Sequence, residues 1–167
     1  MTPTFYKVVV FIMKLNHDYV RDILLFIENN LQYKDWDSDI PSTHQEVTNG
    51  QLICDANFDG YNKSELSYAL EQLIQAGFIS CAANPYFVNG NLQIARIVGL
   101  TWIGHTFLDN IRNDTIWNAV KEKSKKIGKV SITALAGAAG SLANAMMTDP
   151  NALNNFLQGI DNIGKMF

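Results

Sequence analysis

The chain is 167 residues long, 47% apolar and 17% charged, with a formal net charge of −3 and an isoelectric point near 5.5. This composition excludes a disordered chain and suits one globular domain with an appendage. The acidic balance excludes the overall basic field with which duplex-binding proteins usually neutralise phosphate.

Residues 1–13 leave two alternatives open. Phe5 to Ile12 form a β-type run, which is either an N-terminal strand or an extension upstream of an ordinary start at Met13-Lys14-Leu15-Asn16-His17-Asp18. The apolar run Lys7–Met13 has no small-residue cleavage site and falls far short of the roughly 20 residues that cross a bilayer. Two isolated cysteines, Cys54 and Cys81, occur without a CxxC, so a cytoplasmic protein with buried, reduced thiols is expected.

A first helix is predicted from Asn16, because an Asn side-chain oxygen accepts a bond from a free backbone N–H at a helix start. Leu15 and Val20 occupy hydrophobic-staple positions, and Asp18 complements the helix dipole. Val20, Ile23, Leu24, Ile27 and Leu31 form one apolar stripe, which Asn29-Asn30 begin to end. Residues 33–50 read as a polar loop carrying Asp35, Asp37, Asp39 and Pro41, closing in a turn at Asn49-Gly50. Gln51-Leu52-Ile53-Cys54 is expected as a short strand.

A second helix is predicted from Asn62, three residues before Glu65 in a capping-box arrangement, with Tyr61 and Leu66 as the staple. Leu66, Ala69, Leu70, Leu73 and Ile74 make its buried stripe. Gly77 is the expected left-handed residue past its end, with Phe78 packing back on the last turn. Strands are expected over Phe78–Ala82 and Leu92–Val98, joined by a loop with Asn84-Pro85 and Asn89-Gly90. A capped helix followed by a hairpin is the pattern of a recognition-type helix and a wing. The expected class is therefore α+β, with a winged-helix-like domain over residues 14–129 and an added C-terminal helical segment over residues 130–167.

Thr101 is read as the cap of a third helix, with Phe107, Leu108 and Ile111 on one face. Asn113-Asp114 interrupts the run, and Asp114 is read as the cap of a further helix that turns Ile116, Trp117 and Val120 inward. Ser131–Met147 is rich in Ala and Gly; Asp149-Pro150 reads as a cap followed by proline at the first helical position. Leu153, Phe156, Leu157, Ile160, Ile163 and Phe167 then fit an amphipathic helix.

Three stretches carry a likeness to a known family. The first is Met13-Lys14-Leu15-Asn16-His17-Asp18 with Val20-Arg21-Asp22-Ile23-Leu24. The second is Ser67-Tyr68, Leu70, Leu73 and Ala76-Gly77-Phe78-Ile79. The third is Leu100-Thr101-Trp102, Gly104-His105, Phe107-Leu108-Asp109, Ile111-Arg112 and Ile116-Trp117. Over roughly Met13 to Lys125 the chain resembles the bacterial and phage family known as domain of unknown function 2513. The third stretch is the most specific, since its Trp, Gly, His and Asp are unusual in a bare winged helix. The family often has His where this chain has Ala69. The resemblance implies a winged-helix-like fold and a prophage or mobile-element setting, and brings no activity with it.

His105 and Asp109 stand four apart and share a helix face. They read either as a metal or acid–base pair or, preferred here, as a His–Asp hydrogen bond that fixes the helix against the wing. Metal sites want three or four ligands, and no third stands at a usual spacing. No nucleophile elbow, Walker loop or glycine fingerprint occurs, so a non-enzyme with no cofactor and no metal is expected.

With the stripe of the second helix buried, Ser64, Tyr68, Glu71, Gln72 and Gln75 face outward, and Arg96 joins them from the wing as a candidate interaction face. The helix brings no Arg or Lys to that face. Gln72 and Gln75 suit base reading, but little there would hold a phosphate backbone. Residues 1–60 hold four basic residues against nine acidic ones, which weakens the case for duplex binding further. Lys121, Lys123, Lys125, Lys126 and Lys129 form a candidate basic patch. It reads as a nucleic-acid or anionic-membrane contact or, preferred, as lysines complementing a helix end.

In the tail, Ala134, Gly137, Ala138, Ser141 and Ala145 are small residues at helical spacing, which allow close helix approach. Leu135, Leu142, Met146, Leu153, Phe156, Leu157 and Ile160 are candidate self-association residues. Intramolecular docking or self-association is preferred to membrane contact. The expected function is non-catalytic macromolecule binding of phage or mobile-element type, including phage–host conflict, with a protein partner (host, phage or self) and a homo-oligomer. A dimeric DNA-binding regulator, and a membrane-perturbing effector acting through residues 131–167, are the alternatives.

Overall fold

The computed structural model describes residues 14–31, 45–127 and 130–163. The elements in chain order are α1 (His17–Asn30), β1 (Val47–Thr48), α2 (Asn49–Ile53), a 3₁₀ turn (Ala56–Phe58), α3 (Lys63–Gln75), β2 (Ile79–Cys81), β3 (Tyr86–Val88), β4 (Asn91–Ile94), β5 (Arg96–Leu100), α4 (Trp102–Ile111), α5 (Asp114–Ile127), α6 (Ile132–Thr148) and α7 (Ala152–Ile163). The α+β class holds. The run Phe5–Ile12, the loop aspartates Asp35, Asp37 and Asp39, and Lys129 lie outside the described residues.

Side-chain caps set most of the helix starts. Asn16 Oδ1 accepts the amides of Asp18 and Tyr19, and Asn62 Oδ1 those of Ser64 and Glu65. α3 ends where Gly77 takes φ 75° and the Phe78 amide returns to the Leu73 carbonyl. Thr101 works at two helix ends at once. Its hydroxyl accepts the Gly104 amide to cap α4 and donates to the Gly77 carbonyl left over from α3.

Among the described residues, two antiparallel sheets form. One has the order β1-β5-β2, with Val47 opposite Ile97 and Ile79 opposite Leu100. The other is the β3–β4 hairpin, which lies in the chain between β2 and β5.

Several expectations are corrected. Gln51-Leu52-Ile53-Cys54 is not a strand: Gln51–Ile53 belong to α2, where Thr48 and Gln51 close a capping box, and the strand lies earlier at Val47–Thr48. The expected strand Leu92–Val98 is two strands, because Asn49 occupies both backbone groups of Ala95 that a continuous ladder would use. Asn113, not Asp114, caps α5 by accepting the Ile116 amide. Asp149 ends α6 and accepts the Asn151 amide, so α7 begins at Ala152 and not at Pro150. Cys54 is exposed; Cys81 is half-buried, and burial pushes its thiol above the usual range.

One core joins α1, α3, β5, α4, α5 and α6. Its fully buried members include Ile23, Ile27, Leu70, Ile97, Leu108, Trp117 and Leu135. α6 therefore packs into the same core as the helices that precede it.

Candidate interaction surfaces

α1 is pinned to the corner between α4 and α5 by polar groups. Arg21 is 12% exposed; its Nε donates to the Ile111 carbonyl at 2.7 Å, and Nη2 reaches the Arg112 carbonyl and Asp114 Oδ1, both at 2.6 Å. A guanidinium there satisfies carbonyls that the end of α4 leaves open, at the negative end of its dipole. Asp18 Oδ1 accepts the indole N–H of Trp117 at 2.9 Å and the ammonium of Lys121 at 2.5 Å. Burial works to raise the Asp18 carboxyl. Hydrogen bonds from Lys121 and Trp117 and the charges of Lys121 and Arg21 outweigh it and hold the group below its ordinary value.

Glu28 makes a two-pronged pair with Arg112 at 2.8 and 2.9 Å. The Arg112 hydrogen bonds, opposed by burial and helped by the Arg112 charge and by His105, hold the Glu28 carboxyl below its usual range. His105 Nδ1 stands 3.5 Å from Glu28, while Asp109 bonds Arg112 at 2.7 Å. The expected His105–Asp109 hydrogen bond is thus replaced by a network that reaches across to α1. Among the described residues, no group of three or more His, Cys, Asp or Glu is placed to hold a metal.

The candidate face on α3 is partly covered. Ser64 and Gln75 are exposed, but Tyr68, Glu71 and Gln72 are only half-exposed. The β3–β4 hairpin folds onto this end of the helix. Glu71 Oε2 accepts the Leu92 amide at 2.9 Å, and Phe87 and Leu92 pack against the core. Arg96 is held by both carboxylate oxygens of Glu46 at 2.8 to 3.1 Å. Glu71 and Arg96 are thereby engaged within the chain.

The outer face of the hairpin is the surface that reading by elements missed. Phe87 stands opposite Leu92 and Tyr86 opposite Ile94, so a bulge leaves Gln93 without an opposing residue. The bulge turns Ile94 to the side away from Leu92. Tyr86 is 59% exposed, Ile94 58% and Val88 39%. From Gln72 to Ala95 the chain has no charged residue, a signal that was available in the sequence.

The lysine patch is divided among partners. Lys121 belongs to Asp18, Lys125 pairs with Glu122 at 2.5 Å, and Lys123 lies 4.1 Å from the centroid of the Phe156 ring. The self-association residues divide as well. Leu135 and Leu142 are buried in the chain's own core, Leu153 and Phe156 are half-buried, and Met146 and Leu157 are each 38% exposed. The Ile160 side chain lies outside the described residues. No described helix is long and apolar enough to cross a membrane.

A family model described as "Hypothetical protein (DUF2513)" matches residues 14–131, ending just before α6. An uncharacterized protein of Haemophilus influenzae is 35% identical over 137 residues, covering 81% of this chain and 99% of that protein. No solved structure matches the chain.

Proposed function

The chain belongs to the DUF2513 family, and on that premise we propose a non-catalytic, protein-binding module of phage or mobile-element type on a winged-helix framework. The order α1, β1, α2, α3, β2, β5, with β5 between β1 and β2, supports that framework. In it α3 is the recognition-type helix and the β3–β4 hairpin is the wing. One observation carries the functional reading: the wing turns Tyr86, Val88 and Ile94 outward within a stretch that has no charge. A wing that grips phosphate brings Lys or Arg to it. Exposed aromatic and aliphatic groups instead suit a desolvated contact with an apolar patch on another protein.

The test is a photo-reactive residue at position 88 of the full chain, with one at Ser64 as the comparison, in cells carrying the mobile element. A discrete protein adduct from position 88, lost with Tyr86→Ser plus Ile94→Ser and insensitive to moderate salt, is expected. A duplex-DNA gel shift that weakens steeply with salt, with no adduct at position 88, would sink the reading in favour of a DNA-binding regulator.

A further inference from the structure

Thr101 caps α4 and Gly104 seats it against Phe78, where a Cβ would collide with the Phe78 carbonyl. The first two helical residues are thereby aimed away from the core: Trp102 is 85% exposed and Ile103 60%. They stand on the rim of a groove of about 510 Å³ between α4 and α6, which Trp102 and Ile103 line together with Phe78, Phe107, Ala136 and Gly137 among others. The rings of Phe78 and Phe107 are 4.8 Å apart.

We infer that a second copy of this chain docks here, each copy inserting Trp102 into the α4–α6 groove of the other. A two-fold interface needs one patch to supply both halves of every contact. This patch carries an anchor and a receptacle side by side. Charge points the same way. Across a two-fold axis a face dominated by one sign of charge meets its own sign, at a cost that an uncharged face does not carry. None of the residues lining this groove is Asp, Glu, Lys or Arg. Two indoles bury roughly 300–500 Å², against roughly 1,200–2,000 Å² for a stable interface. Ile103 and the groove walls add to the two anchors, and a contact of this modest size belongs with weak, reversible dimers. The inference concerns a different surface from the wing and stands independently of it.

Sedimentation velocity of the full chain across the micromolar range tests it. A monomer–dimer equilibrium is expected, weakened about tenfold or more by Trp102→Ser. Gly137→Phe fills the groove from its other wall; a Cβ at Gly137 meets nothing within 4 Å, so the fold has room for it. It is expected to weaken the dimer as much, with unchanged circular dichroism, and Gly137→Leu serves as a smaller filler. Mixing Trp102→Ser with Gly137→Phe restores one anchor–groove contact, so a mixed dimer tighter than either variant alone is expected. Leu157→Ser and Met147→Ser, exposed elsewhere, leave the equilibrium unchanged. A chain that stays monomeric throughout, a dimer indifferent to either groove variant, or one broken by the Leu157 or Met147 changes overturns the inference.

Discussion

From α1, Asp18, Arg21 and Glu28 reach across to α4 and α5, where each meets an opposite charge and Arg21 also takes two carbonyls. The β3–β4 hairpin has no charge and turns Tyr86, Val88 and Ile94 to solvent. Both regions mix polar and apolar side chains; what differs is whether those groups find partners inside the chain. At the α1 seam they do, and the seam's charges act as fasteners. On the outer face of the hairpin Tyr86, Val88 and Ile94 remain exposed.

The largest expected effect lies at the seam. Trp117 is 1% exposed and donates to Asp18. Trp117→Ala is expected to lower stability by about 3–5 kcal/mol, read by urea unfolding. Trp117→Phe restores most of the packing and leaves a loss of about 1–2 kcal/mol from the missing hydrogen bond. A loss for Trp117→Ala near that of an exposed residue would erase the contrast between the regions.

Next comes the close approach that seats α4. Gly104→Ala places a Cβ against the Phe78 carbonyl, which is backbone and cannot swing aside. Overpacking of about 1–3 kcal/mol is expected to exceed the roughly 1 kcal/mol by which Ala favours a helix over Gly. A neutral thermal melt would mean that α4 can shift away from the Phe78 carbonyl at no cost.

Acid then separates the seam from the wing. A carboxylate whose folded pKa is depressed stabilises the fold fully above its unfolded pKa and loses that contribution as pH falls through the lower folded value. Glu28, facing Arg112 and His105 with Asp109 on the far side of Arg112, is such a group, and Asp18 acts in the same direction. Glu28→Gln is expected to cost on the order of 1 kcal/mol at neutral pH and almost nothing once the wild-type carboxyl is protonated. The two melting-temperature curves should converge below the ordinary glutamate pKa of about 4.3. Parallel curves would show that the pair does not fasten the seam.

Local signals were legible in the sequence and cross-chain partners were not. Asn16, Asn62, Gly77 and Thr101 act within a turn of their own positions and mark the helix ends as read, but the expected Asn62–Glu65 box is only half formed, because the Asn62 amide donates to the Tyr19 hydroxyl. α2 escaped because Leu52 and Ile53 are too few to show a period, while the Thr48–Gln51 capping box decides the segment. Spacing on α4 suggested His105 with Asp109, but no spacing within a helix reports that Glu28 arrives from α1. The lysines of α5 read as a patch because Asp18, 103 residues earlier, is invisible to a local window. The Ala- and Gly-rich segment reads equally as docking on the domain or on a second copy, and only the packing shows that Leu135 and Leu142 complete the chain's own core. The outward face of α3 was legible as polar; its partial cover by the hairpin is a tertiary event.

The smallest expected effect on stability is the one that tests the β3–β4 hairpin. Tyr86 and Ile94 face each other across β3 and β4 and are more than half exposed. A cross-strand pair of this kind contributes roughly 0.2–1 kcal/mol, so Tyr86→Ser with Ile94→Ser should lower stability by about 0.5 kcal/mol. Phe87→Ser, on the inward face of the same hairpin, removes a ring packed against the core and should cost about 2 kcal/mol or more. Both variants change the same two-stranded hairpin, with Tyr86 and Phe87 adjacent in β3, so their difference contrasts its outward face with its buried one. If the outward pair proves as costly as Phe87, those side chains hold the hairpin together and are not spare for a partner. If the outward pair is nearly neutral for folding and abolishes the cross-link from position 88, the wing is a surface kept apolar for contact with another protein.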